Sequence, residues 1–187
     1  MLKWLGRGLV ALLALALLLA IALWMTIRGS VPTHDGTLAL PGLSAPVSVT
    51  RDASGMVDIE AANELDMARA LGFLHGQERF FEMDLTRRVA AGELSALFGA
   101  RALEVDRTNR RHRLRARSEA TLAEIAGPRA AALKAYTEGV NAGLASLAVR
   151  PWPYLLLEQA PQPWTEVDSA LTGYAMFFDL QDEANSR

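Results

Sequence analysis

Between Gly8 and Ile27 the chain reads GLVALLALALLLAIALWMTI, without a single charged residue, and nothing else in it restricts folding as strongly. About 20 apolar residues wound into a helix are long enough to cross the hydrocarbon core of a bilayer. Lys3 and Arg7 precede the block, and the positive-inside tendency then leaves the N-terminus in the cytoplasm and exports everything after Arg28. Two versions stay open: an uncleaved anchor, or a signal peptide with Ala20-Ile21-Ala22 as its small-residue cleavage site. The anchor is favoured, because Leu23, Trp24 and Met25 carry the apolar run past that site. Either way the remainder is expected in the periplasm or another extracytoplasmic space, tethered by one N-terminal helix of the inner membrane if the block is retained.

A length of 187 residues suits about one domain. Much of the 51% hydrophobic content belongs to the membrane block. There is no cysteine, which excludes disulfides and thiolate metal sites and leaves the redox compartment unreadable. After Arg28, 16 basic residues face 21 acidic ones, a formal charge of −5 that speaks against nucleic-acid binding.

Residues 29–46, GSVPTHDGTLALPGLSAP, hold three prolines and three glycines and read as a tether ending in turns. VSVT and MVDIE then alternate around Arg51-Asp52-Ala53-Ser54-Gly55, which predicts a β-hairpin. A lone hairpin is marginal in water, so this one calls for a larger sheet, and no other strong strand signal follows. Asn63 is placed to cap a helix starting at Glu64, with Leu65, Ala68, Leu71, Gly72 and His75 at spacings of three and four. That periodicity predicts one long helix through HGQERFFEMDLTRR, ending near Gly92 or Gly99. Residues 101–117 contain seven arginines. Gly127-Pro128 opens another helix, with Leu133, Tyr136, Val140, Leu144 and Leu147 as its buried stripe. The four prolines of PWPYLLLEQAPQPW rule out a continuous helix there and predict an ordered, apolar loop. Thr165 and Asp168 predict a capped last helix through SALTGYAMFFDLQDE, apolar on almost every face and therefore buried all round. One stripe of it differs: Ser169, Thr172, Met176, Asp179 and Glu183.

Catalytic signals are sparse. None of the nine serines lies in a G-x-S-x-G elbow. His75 is the one well-placed histidine, and its lack of a ligand partner at i+4 argues against a helical zinc site, leaving a half-buried histidine satisfied by its neighbours or a proton-transfer group. HGQERFFEMDLTRR reads as helix-surface pairs or as a buried polar network bracing the fold. RTNRRHRLRAR reads as a solvated face that pairs with acids.

Taken in order, VTRDASGMVDIEAAN, DMARALGFLHGQERFFEMDLTRRVAAGELSALFG, AYTEGVNAGL and APQPWTEVDSALTGYAMFFDL resemble the α-chain region of the penicillin acylase family of N-terminal-nucleophile hydrolases. The resemblance covers residues 47 to 183, in the family's order and roughly its spacing. It divides the chain into a membrane anchor or signal peptide (1–28), a tether (29–46) and an α-chain-like region (47–187). The implied fold class is α+β: a mainly helical part of an αββα sandwich, incomplete without a β chain of the same precursor.

The resemblance further implies self-cleavage, with a serine as first residue of the β chain. No catalytic residue is then expected in this chain, and these residues alone are expected to be inactive. The implied activity is hydrolysis of N-acyl amides such as β-lactam side chains or acyl-homoserine lactones. Met176, Phe177 and Phe178 are carried over as lining the acyl pocket, against core packing as the plainer role for the two phenylalanines. Glu183, with Asp182 as alternative, is carried over as a ligand of a structural calcium ion; no organic cofactor is implied. The competing reading is a non-enzymatic, membrane-anchored helical interaction protein.

Overall fold

A computed structural model describes the backbone from Leu2 to Asn185, with the side chains of Leu2, Lys3, Leu5, Ala11 and residues 182–185 outside the described set. Helix α1 (Leu2–Gly29) contains the apolar block, and its 24-residue span Gly6–Gly29 is long and apolar enough to cross a membrane. A hairpin follows, with β1 (Ser48–Arg51) antiparallel to β2 (Val57–Glu60) and Val49 opposite Ile59. Its turn is built by Asp52, whose Oδ1 accepts from Ser54 N, Ser54 Oγ and Met56 N. Those bonds, the Ser54 hydroxyl first, hold the Asp52 carboxyl below its usual range. Gly55 takes the positive φ of +84° that closes the turn. Among the described residues this is the whole sheet.

The helices are α2 (Glu64–Glu78), α3 (Phe80–Ala91), α4 (Ser95–Phe98), a 3-10 turn at Gly99–Ala102, α5 (Leu103–Arg110), α6 (Leu114–Glu124), α7 (Pro128–Ser146), α8 (Trp152–Leu156) and α9 (Glu166–Asn185). Asn63 caps α2 as expected, accepting from Asp66 N. The single long helix is corrected to two. Arg79, at φ −136° and ψ 21°, ends α2 and starts α3. The buried positions Phe73, Gly76, Gln77, Phe80, Asp84, Arg87 and Arg88 step by one, three or four across that break, so spacing alone does not reveal it. The helix does stop at Gly92, which adopts the left-handed conformation.

The residues whose spacing predicts α2 do not all lie on its buried face. Leu65 and Leu71 are exposed, and the inner face is instead Asp66, Ala70, Gly72, Phe73 and Gly76. The reason is close packing on α7. A Cβ at Gly72 or Gly76 would lie 2.2 or 2.1 Å from a carbonyl oxygen of α7, and one at Gly139 or Gly143 would lie 2.1 or 2.0 Å from a carbonyl oxygen of α2. Only glycine lets the two backbones approach so closely. Of the stripe expected on α7, Val140 is fully buried and the other four positions are partly buried. Around this pair lies a core of Phe80, Leu97, Val140, Tyr154 and Trp164, with a second cluster at Ala90, Leu114 and Leu171.

The proline-rich segment contains one short helix, α8, followed by an ordered loop. Asn141 holds that loop by donating to Trp164 O and accepting from Trp164 N, at 2.9 and 2.8 Å. Both Thr165 N and Thr165 Oγ1 donate to Asp168 Oδ2, at 2.8 and 2.7 Å, to cap α9. Burial of α9 on every side is corrected. Leu171 is fully buried, whereas Met176, Phe177 and Leu180 are 61%, 56% and 66% exposed. A hydrophobic pattern records that a face needs cover, not which polypeptide covers it.

Candidate functional site

Asp84, Arg87 and Arg88 of HGQERFFEMDLTRR form a buried ionic network rather than a set of surface pairs. Asp84, with no exposed surface, accepts from Arg87 Nε at 2.7 Å, Arg88 Nε at 2.9 Å and Tyr154 OH at 2.7 Å. Arg87 extends across the core to Asp168 Oδ2 at 2.6 Å and to the carbonyls of Pro163 and Gln162, both at 3.0 Å. Its guanidinium also lies 5.1 Å from the Trp164 ring, a cation–π contact. Burial first, then the bond to Asp84, pushes the Tyr154 hydroxyl pKa far up, so the phenol stays protonated and donates. Every charge in the network has an opposite partner and directional hydrogen bonds, the condition under which burial of ions is tolerated. The network sets the position and rotation of α9 relative to α3.

Of the seven arginines in residues 101–117, Arg115 joins this brace. Its Nε and Nη2 each reach a Glu93 oxygen at 2.7 Å, and the Glu93 hydrogen bond is the leading cause of its raised pKa. Arg110 donates to Gly92 O at 2.7 Å, and Arg107 pairs on the surface with Glu104. His75 Nδ1 lies 2.9 Å from Tyr136 OH. Burial first, then Arg79, lowers its pKa and favours the neutral ring. That is the satisfied-histidine reading, with α2 tied to α7.

Further along, α9 forms one wall of an open groove of about 760 Å³. Thr86 and Val89 of α3 and Asn109 of α5 face Met176 and Phe178 across it, with His112 alongside. The His112 and Phe178 rings are 4.7 Å apart, and Asn109 Nδ2 donates to Val89 O at 2.7 Å, pinning α5 to α3. Phe178 also packs on the Ala90–Leu114–Leu171 cluster. Phe177 does not line the groove; its ring meets Phe178 edge-on at 5.8 Å and is otherwise exposed. The three expected site residues thus divide, two in the groove and one beside it. The described lining offers hydroxyls, two amides, an imidazole and a carboxylate, but no serine or cysteine. It can bind and orient a ligand with an apolar portion. His112 and Asn109 were not anticipated, because only the packing of α5 on α3 carries them there.

Glu183 lies on the last turn of α9, and its side chain, like that of Asp182, is outside the described residues. Among the described residues no three acidic or histidine side chains converge on one point. Calcium takes six to eight oxygens, so one glutamate would supply at most a small part of its shell.

A family model described as Penicillin amidase matches residues 46–187. A penicillin acylase 2 proenzyme from a Pseudomonas species is 43% identical over 138 residues, covering 74% of this chain and 18% of that protein. The acyl-homoserine lactone acylase QuiP of Pseudomonas fluorescens is 34% identical over 185 residues, 96% of this chain and 23% of its own length. The chain therefore spans about a fifth of the curated relatives it matches. Among solved structures, a thermostable penicillin G acylase from Alcaligenes faecalis superposes with a TM-score of 0.63 at 24% identity, over 70% of this chain and 71% of that one. The match over residues 46–187, on a helical scaffold that the acylase structure shares, establishes that the chain belongs to the penicillin amidase family.

Proposed function

We propose that these residues form the α-chain part of a self-processing amidohydrolase, completed by a β chain into an αββα sandwich and acting on N-acyl amides. Among the described residues two features support incompleteness: a two-stranded sheet with free edges and a last helix with one apolar side uncovered. The relatives named as acylases of penicillins and of acyl-homoserine lactones support the reaction class, and the proenzyme among them supports processing. In this scheme the β chain begins with a serine whose α-amino group, with an ordinary pKa of about 7.7 to 8, takes the proton of its own hydroxyl. The alkoxide attacks the amide carbonyl, donors of the β chain hold the oxyanion, and the nitrogen takes back the proton from the α-ammonium group and departs as the amine, leaving an acyl ester that water hydrolyses.

The part assigned to this chain is recognition of the acyl group. One observation carries it: Met176 is 61% exposed at a groove on a helix whose base is locked by Arg87 and Asp168. Phe178 lines the groove, and Phe177, exposed beside it, becomes part of the pocket only where the β chain closes over both. Such a surface selects apolar acyl chains without distinguishing a β-lactam side chain from a lactone's fatty acyl group. Glu183 is proposed as one carboxylate ligand of a structural calcium whose other oxygens come from the β chain, so Glu183→Ala should lower bound calcium. The protein is placed outside the cytoplasm, with α1 as its anchor.

Met176→Ala in the complete gene product tests the groove. Normal maturation is expected, with kcat/KM for bulky apolar acyl chains falling by about tenfold relative to short ones. Unchanged maturation together with unchanged acyl preference would remove Met176 from the pocket.

A further inference from the structure

Helix α1 is not joined to the rest of the chain by a free linker. The Gly29 carbonyl accepts a 2.9 Å hydrogen bond from the Val149 N–H, and Ser30 Oγ donates to the Arg150 carbonyl at 2.6 Å. Ser30 is buried, and a Cβ on Gly29 would meet Val149 Cγ2 at 2.7 Å. This seam closes the last turn of the apolar span Gly6–Gly29. In the same turn the Arg28 guanidinium stands 5.3 Å from the ring of Trp24, one turn earlier, an aromatic and basic pair of the kind that settles at the headgroup level. With α1 in a bilayer, Val149 and Arg150 are therefore held at the membrane surface.

Helix α8 begins two residues beyond Arg150. Trp152 and Leu156, at i and i+4 on one side of it, are 54% and 76% exposed. Tyr154 between them is fully buried and donates to Asp84, so the Trp152–Leu156 side faces away from the protein body. Three residues of chain reach at most about 10 Å, which keeps Trp152 close to the plane set by Val149.

We propose that α8, with Arg28 and Arg150, is a second membrane contact. Trp152 and Leu156 enter the headgroup–acyl boundary and the two arginines pair with lipid phosphates. A phospholipid surface is the occupant because this apolar side continues directly from the end of the spanning helix, and because indole, leucine and arginine together suit an interface that is apolar at one level and ionic at the next. The contact has a structural consequence. Tyr154, Asp84, Arg87 and Asp168 form an unbroken chain of hydrogen bonds from α8 to α9, so the groove is held at a set height and tilt above the bilayer.

The inference rests on α1 lying in the membrane, and the test separates the two. The chain has no cysteine. In the complete gene product, with any thiol beyond these residues replaced by serine, Leu156→Cys, Leu18→Cys and Met56→Cys are each labelled with an environment-sensitive fluorophore. Each protein is reconstituted into phosphatidylcholine–phosphatidylglycerol vesicles carrying nitroxide lipids, spin-labelled near the headgroup or deep in the chain. The Leu18 label should lose emission to the deep nitroxide, and the Leu156 label should shift to the blue and lose emission to the shallow one. The Met56 label, in the exposed hairpin turn, should respond to neither. A Leu156 label reached by aqueous iodide but not by lipid, or shielded from both by protein, overturns the membrane contact while Leu18 still reports insertion. An unquenched Leu18 label overturns the anchor and the contact together. The acylase reading is untouched by any of these results, since Met176 tests it separately.

Discussion

The α2–α7 seam and the α3–α9 seam belong to consecutive stretches of one molecule, yet they are held by opposite chemistry. In the first, Gly72 and Gly76 face Gly139 and Gly143, and the helices touch backbone to backbone. In the second, Asp84, Arg87, Arg88 and Asp168 bury charges in mutual contact. Where the glycines meet, the seam gains dispersion and weak Cα–H···O contacts without burying a charge, and tolerates no added atom. The ionic seam gives back most of its Coulombic gain in desolvation, but it accepts only one rotation of α9. One seam determines how close two helices lie, and the other determines which way a helix faces. The helix carrying Met176 and Phe178 is on the second.

Removing one charge from the ionic seam is the strongest way to break this contrast. Asp84→Ala leaves Arg87, Arg88 and Tyr154 without their shared acceptor and should cost about 3–5 kcal/mol in urea unfolding of the complete gene product. A loss below about 1 kcal/mol would mean that the network only decorates the core. Next in size, Gly143→Ala drives a methyl group to 2.0 Å from Phe73 O, and should destabilise by about 1–3 kcal/mol through forced separation of α2 and α7. A neutral result would show that this seam has slack.

Thr165→Ala sharpens the comparison from the cap side. It removes the hydroxyl that donates to Asp168 Oδ2 at 2.7 Å while leaving Arg87 in place, so about 0.5–1.5 kcal/mol should be lost. The smallest effect concerns pH. Because burial lowers the folded-state pKa of His75, its contribution is fully present above the unfolded value of about 6.5 and is lost as pH falls through that value toward the lowered one. His75→Gln should flatten this part of the stability profile between neutral and mildly acidic pH. An unchanged slope would assign the proton uptake to another group.

Local features were legible without the structure: the apolar block, the Asp52–Gly55 turn, the Asn63 cap, Pro128 at a helix start, a stop at Gly92 or Gly99, of which the structure uses Gly92, and the Thr165–Asp168 cap. The two pairs of glycines spaced by four were equally visible, but nothing local says that they face each other. For the groove, Met176 stood out on a polar stripe and is exposed there. His112 and Asn109 gave no such signal, and the direction of Phe177 depends on how α9 is rotated.

At its caps and turns the sequence by itself determined where backbone changes state, because such signals act over about four residues and are written within that distance. Tertiary structure alone decided the break at Arg79, the meeting of Gly76 with Val140, the partner of Arg87 among several nearby acids, and which side of α9 stays uncovered. Two of those choices, Gly76 with Val140 and Arg87 with Asp168, join residues more than 60 positions apart. They are settled by closest backbone approach and by the cost of an unpaired buried charge, and neither quantity exists until the helices have packed.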